Sequence, residues 1–227
     1  MERYSLIHTR FPREFLLLQG QGCRWRGCSF CDYHLDVSDN PFEINRPVLE
    51  RVTGEYGVLD VINSGSAMEF DNQTLELIAK IVRERGIHTL WFEAHYMYCH
   101  QLAAFAERFA PAKVMFRCGV ESFDGALRQS WNKGVPPTVS PEEIARHFSG
   151  VCLLVGVEGQ KREQIRRDIA LASSLFDYFS VNVFCPNTTT IRRDEALVEW
   201  FTKEIYPALL LEPKAEVLME NTDLGVG

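Results

Sequence analysis

Three cysteines crowd into one short stretch, Cys23-Arg24-Trp25-Arg26-Gly27-Cys28-Ser29-Phe30-Cys31. Thiolates at this Cys-x4-Cys-x2-Cys spacing can ligate three irons of a cubane [4Fe-4S] cluster. The fourth iron then stays open to a small molecule. A closed tetrahedral zinc site competes, with His34 as fourth ligand. Structural zinc usually staples a domain too small to fold alone, and this chain has apolar strands enough for a core of its own. Chance clustering of buried thiols is a poor fit for a loop that also holds Arg24, Arg26 and Gly27. Cys99, Cys118, Cys152 and Cys185 stand singly in apolar segments, such as Val151-Cys152-Leu153-Leu154. They read as small buried hydrophobes.

The loop must be held by something, and the surrounding sequence alternates short apolar runs with helical patterns. The runs are Phe15 to Leu18, Val58 to Ile62, Thr89 to Phe92, Val114 to Arg117, Val151 to Val155 and Tyr178 to Phe184. Each is apolar on both faces, as strands of a helix-covered parallel sheet are. Asp71 caps a helix that presents Leu75, Ile78, Ala79 and Val82 on one face and stops at Gly86. His100 to Phe109, the segment after Ser140-Pro141-Glu142-Glu143, Gln164 to Leu175 and Asp194 to Ile205 give further helices. Six β-then-α units, with one more strand near Glu216 to Met219, are too few for an eight-fold barrel. A partial barrel and a doubly wound open sheet both satisfy the pattern. No linker divides the chain, so residues 1–227 are expected to form one domain with a short C-terminal extension.

Composition narrows the partners. Hydrophobic residues are 46% and charged residues 24%, the balance of a soluble globular protein. Acids outnumber bases 31 to 24, for a net charge of -7. Duplex binding needs the opposite balance, so polymer nucleic acid is not an expected partner. No apolar run approaches the ~18–20 residues of a membrane span, and the first residues do not read as a signal peptide. The expected location is cytoplasmic, where cysteines stay reduced.

The cysteine loop, directly after the first strand and with an aromatic, Phe30, before its last cysteine, resembles the radical S-adenosylmethionine superfamily. The commonest spacing in that family has three residues between the first two cysteines; this chain has four. Asn63-Ser64-Gly65-Ser66 falls where many members carry a Gly-Gly-Glu stretch for the methionine amino group, although the Glu is missing here. The resemblance extends to Arg117 to Asp124 and Leu154 to Gln160. It implies a partial (β/α)6 barrel of parallel strands and a [4Fe-4S] cluster on Cys23, Cys28 and Cys31. S-adenosyl-L-methionine would bind the open iron and be cleaved reductively to a 5′-deoxyadenosyl radical, with an electron from an external donor such as flavodoxin or ferredoxin. On the cofactor side it implies Phe30, Tyr33, Ser64, Gly65, Ser66, Glu93, Glu121, Asn182 and Val183.

Substrate candidates are Asn45 and Arg46 after the cluster, His95 at strand spacing from Glu93, Asn187 beyond Pro186, and Asp223 in Asn221-Thr222-Asp223-Leu224-Gly225. Roughly 40 residues follow the sixth run, without a second cysteine cluster, which favours a small nucleoside-like substrate. Among small members the chain is similar to the queuine lyases, which release queuine from queuosine 5′-phosphate. In that reading Arg46 faces the phosphate, and Asp223 is a buried acceptor for the base. A radical activase acting on a partner protein and a non-enzymatic iron–sulfur or zinc sensor are the alternatives.

Overall fold

The computed structural model describes residues 1–227. Eight strands follow one another in the sheet in chain order. They are β1 (Tyr4–Ile7), β2 (Arg13–Leu17), β3 (Val58–Ile62), β4 (Thr89–Glu93), β5 (Lys113–Glu121), β6 (Gly150–Val155), β7 (Tyr178–Val183) and β8 (Ala215–Leu218). β1 lies antiparallel to β2. The pairs β2–β3, β3–β4, β5–β6, β6–β7 and β7–β8 are parallel. This order, with helices in the crossovers, is the partial (β/α)6 barrel expected, and not a doubly wound sheet.

The chain divides into two compact units. The first holds Met1–Arg26, Tyr33–Phe116 and Thr222–Gly227; the second holds Gly27–Asp32 and Arg117–Asn221. In the first unit, α1 (Pro41–Leu49), α2 (Asn72–Glu84) and α3 (Leu102–Ala106) accompany the strands. The Asp71 carboxylate accepts the Thr74 N–H at the start of α2, and such a cap is worth about 1 kcal/mol. Leu75, Ile78, Ala79 and Val82 are buried, and Gly86 ends the run at a φ of +66°. In the second unit, α4 (Gly125–Ser130), α5 (Pro141–Ala145), α6 (Arg162–Leu175), α7 (Glu195–Trp200) and α8 (Tyr206–Leu209) flank β6 to β8. Every residue of β6 is buried, as a strand covered on both faces requires. Ser140 and Asp194 cap α5 and α7 through the Glu143 and Leu197 N–H groups.

Three elements depart from the sequence reading. β1, whose residues show no clear alternation, is a strand that the sequence pattern does not predict. Asn45-Arg46-Pro47 is not loop but the middle of α1, in spite of Pro47. Burial of Pro41, Asn45, Val48 and Leu49, with Pro41 at the helix start, outweighs the lost N–H. The helix expected over His100 to Phe109 is shortened to α3 and a 3-10 turn, Glu107–Phe109. No helix is long and apolar enough to cross a membrane.

Candidate functional site

The cysteine loop follows β2 and is shared between the units: Cys23 belongs to the first, Cys28 and Cys31 to the second. None of the three is in a disulfide, and all are partly exposed.

In the first unit, Arg26 adopts a φ of +49°, which turns the chain so that its N–H donates to the Cys23 sulfur at 3.4 Å. Its guanidinium Nε donates to the Cys23 carbonyl at 2.9 Å. The loop is tied to the turn after β3 by Glu69, a residue with no motif to announce it. One carboxylate oxygen accepts the Arg24 N–H at 2.9 Å and the Tyr98 hydroxyl at 2.9 Å. The other accepts the Ser66 N–H at 2.7 Å. Tyr98 is raised to about 12, by burial and then by the charge and hydrogen bond of Glu69. Gly65 sits between these groups: a Cβ there would run into the Glu69 carboxylate and stand 3.0 Å from the Cys23 Cα. The Ser64 hydroxyl donates to the Asp36 carbonyl, and the buried Ser66 hydroxyl accepts the His95 N–H. Both serine hydroxyls, expected to face the cofactor, are thus engaged with the chain itself. The Trp25 ring stacks on His95, with centroids 5.7 Å apart and planes 16° apart.

In the second unit, Cys28 and Cys31 pack against a buried cluster of Phe30, Trp131, Leu154, Val157 and Phe184. Two segments strap the loop from outside. The Trp131 carbonyl accepts from the Ser29 N–H and hydroxyl at 3.0 and 3.2 Å, and the Asn132 amide donates to the Gly27 carbonyl at 2.8 Å. Beyond β7, Asn187 donates to the Phe30 carbonyl at 2.7 Å, and Thr188 donates to Asp32 through its N–H and hydroxyl. Glu121 ends β5 at a bulge with a φ of +65°, and its carboxylate accepts from Lys133 Nζ at 2.8 Å. On β7, Asn182 Oδ1 is buried and accepts no hydrogen bond, while Val183 beside it is buried.

The first unit therefore joins Cys23, Ser64, Gly65, Ser66 and His95, and the second joins Cys28, Phe30, Cys31 and Asn187. Glu93, the last residue of β4, is partly buried. Other expected residues stand apart. Asn45 is fully buried; its amide donates to the Gln19 carbonyl and the Thr74 hydroxyl and accepts the Gln19 N–H. It is a fastener of the chain between β2 and the cysteines, with no group left for a ligand. Asp223 is exposed, not the buried acceptor expected of it, because the last residues form a surface turn. Arg46 is exposed on α1, and Tyr33 is 55% exposed. Cys99, Cys118 and Cys152 are buried as expected, and burial pushes the partly buried Cys185 thiol up.

These groups fit an iron–sulfur cluster with S-adenosylmethionine. Cys23, with its N–H···S bond, in the first unit and Cys28 and Cys31 in the second are each in no disulfide and partly exposed, as thiols that take up iron must be. The missing side chain at Gly65 lets the Glu69 carboxylate and the Cys23 backbone come close, and the unsatisfied acceptor on Asn182 suits an exocyclic amine such as that of adenine.

No protein-family model matches the chain, and neither does any curated protein. Among solved structures it is similar to a queuine lyase from Clostridium spiroforme bound to S-adenosylmethionine and queuine. That likeness has 41% identity and a TM-score of 0.95, and covers 100% of this chain and 99% of the other. Streptococcus suis SuiB bound to S-adenosylmethionine shares the fold at 16% identity and a TM-score of 0.57, over 92% of this chain and 48% of SuiB.

Proposed function

The chain belongs to the queuine lyase family of the radical S-adenosylmethionine superfamily, and we propose that it releases queuine from queuosine 5′-phosphate. The full-length likeness at 41% identity carries this reading. Cys23, Cys28 and Cys31 would hold the cluster. When bound, the cluster and S-adenosylmethionine supply a 5′-deoxyadenosyl radical that can take a hydrogen atom from the ribose and so weaken its C1′–N bond. An external low-potential donor such as flavodoxin or ferredoxin would provide the electron.

The protein binds, orients and excludes water. Gly65 and Ser66 would offer backbone to the methionine part, with Ser64, Phe30 and Tyr33 around it. Glu93 and Glu121 carry carboxylates at the ends of β4 and β5, the strand ends where such folds place their chemistry. They suit the ribose diol. Asn182 would accept from adenine, against the apolar wall of Val183. For the substrate, His95 presents an aromatic face already stacked on Trp25, and Asn187 fixes the main chain at Phe30. Arg46, exposed on α1, would be the cation offered to the phosphate. Asn45 would act only by fastening the chain between β2 and the cysteines.

The test is anaerobic reconstitution, to ~4 Fe and ~4 sulfide per chain, followed by addition of dithionite, S-adenosylmethionine and queuosine 5′-phosphate. Queuine and 5′-deoxyadenosine should appear together by mass spectrometry. Cys23→Ala, Cys28→Ala and Cys31→Ala should lose both products and the iron, whereas Cys152→Ala should keep all three. A cluster-replete preparation that cleaves the cofactor but yields no queuine would rule out this substrate.

A further inference from the structure

Lys133 is a buried cation paired with Glu121. It is 8% exposed, in the segment between α4 and Gly134. Its ammonium lies 2.8 Å from Glu121 Oε1 and 5.7 Å from the centre of the Phe30 ring. Phe30 stands between Cys28 and Cys31 in sequence, and both cysteines pack on the cluster to which Phe30 belongs. The residues just before Lys133 are those strapped to the loop: Trp131 through Ser29, and Asn132 through the Gly27 carbonyl. The ammonium is thus fixed relative to Cys28 and Cys31 by three hydrogen bonds and a ring contact.

Two backbone features make room for the pair. A Cβ on Gly119 would stand 3.1 Å from Glu121 Oε1 and 3.3 Å from Lys133 Nζ, so the pair lies tight against the bare backbone there. The bulge between Gly119 and Glu121, with Glu121 at a φ of +65°, is a conformation that L side chains adopt only at a cost. Bulges re-aim a side chain. A strained backbone that turns a carboxylate onto a buried lysine marks a position held for more than packing. Burial works against the ammonium's charge. The Glu121 carboxylate 2.8 Å away offsets that cost.

We propose that the Lys133–Glu121 pair sets the reduction potential of the cluster held on the cysteine loop, the lysine raising it and the glutamate lowering it. The inference rests on the cluster reading above. Reduction adds one electron from an external low-potential donor, taking [4Fe-4S]2+ to [4Fe-4S]1+. A fixed cation favours the more negative reduced state, and buried charges act with little screening.

The experiment is a redox titration of the reconstituted protein, following the reduced-cluster EPR signal with dithionite as reductant. S-adenosylmethionine is left out, so a role of Glu121 in cofactor binding does not enter. At a fixed potential, Lys133→Met should lower the reduced-to-oxidised ratio about tenfold, which is a midpoint about 59 mV lower. Glu121→Gln should raise the ratio, Lys133→Arg should leave it near the parent, and the double change Glu121→Gln/Lys133→Met should fall between the single ones. Should Lys133→Met not retain iron, Glu121→Gln and Lys133→Arg still decide the matter. Shifts of the same sign, or none, in variants with parental iron and sulfide content would overturn the inference. Failure of the parent itself to assemble a cluster would instead remove the cluster reading, and this inference with it.

Discussion

Glu69→Ala removes one carboxylate that three donors share. The Ser66 N–H and the Tyr98 hydroxyl are buried, at 1% and 5% residue exposure; the Arg24 N–H belongs to an exposed residue and can turn to water. Each buried donor left without an acceptor costs about 1–3 kcal/mol, so the two together cost about 2–6 kcal/mol. Total stability of a domain is of the order of 5–15 kcal/mol, so the loss is large. Glu69→Gln should cost less, since its amide oxygen can still take Arg24 and Tyr98 while its NH2 faces the Ser66 N–H, roughly 1–3 kcal/mol. Urea denaturation of the cluster-free protein reads both. A second readout is specific to the carboxylate. Tyr98, raised to about 12, should titrate lower in Glu69→Gln, because the negative charge that opposes its ionisation is gone. Ultraviolet titration of tyrosinate follows this. An alanine variant within about 0.5 kcal/mol of the parent, with an unchanged tyrosine titration, would refute the account of Glu69 as the tie between the loop and the β3 turn.

Gly65→Val should abolish S-adenosylmethionine binding and also lower iron retention, because its Cβ presses on the Glu69 carboxylate and on Cys23; equilibrium binding and iron analysis check the two effects separately. Asp168 on α6 is pushed up to about 6, chiefly by burial, against the lowering hydrogen bonds from Ser122 and Phe123. Its folded pKa lies above its unfolded one, so the folded state binds the extra proton, and this group's contribution to stability rises as pH falls through about 6 toward 3.8. Asp168→Asn should remove that rise, on the order of 2 kcal/mol across the window, in urea denaturation series at matched pH; an unchanged pH profile would show that Asp168 titrates normally.

Much of the fold could be read without coordinates. Val151 to Val155 and Tyr178 to Phe184 are apolar on both faces, and only a covered parallel sheet buries such runs. Asp71, Ser140 and Asp194 stand at helix starts, and each does cap. The cysteine spacing alone was enough to expect a cluster, since three thiols in one loop have few other uses. These signals are local or periodic, and sequence reports such features directly.

Tertiary packing decided the rest. Arg24 meets Glu69 across 45 residues and Ser29 meets Trp131 across 102, so no spacing rule could pair them. Asn45 looked like a polar loop residue, but a helix through Pro47 carries it into the core, where only the Gln19 backbone and Thr74 reach it. Asp223 reads alike whether buried or exposed, and the turn at the chain's end leaves it in water. Glu121 was legible as a carboxylate at a strand end. That a bulge and a positive φ aim it at Lys133 depends on the register of β5 against β6, which is a property of the assembled sheet.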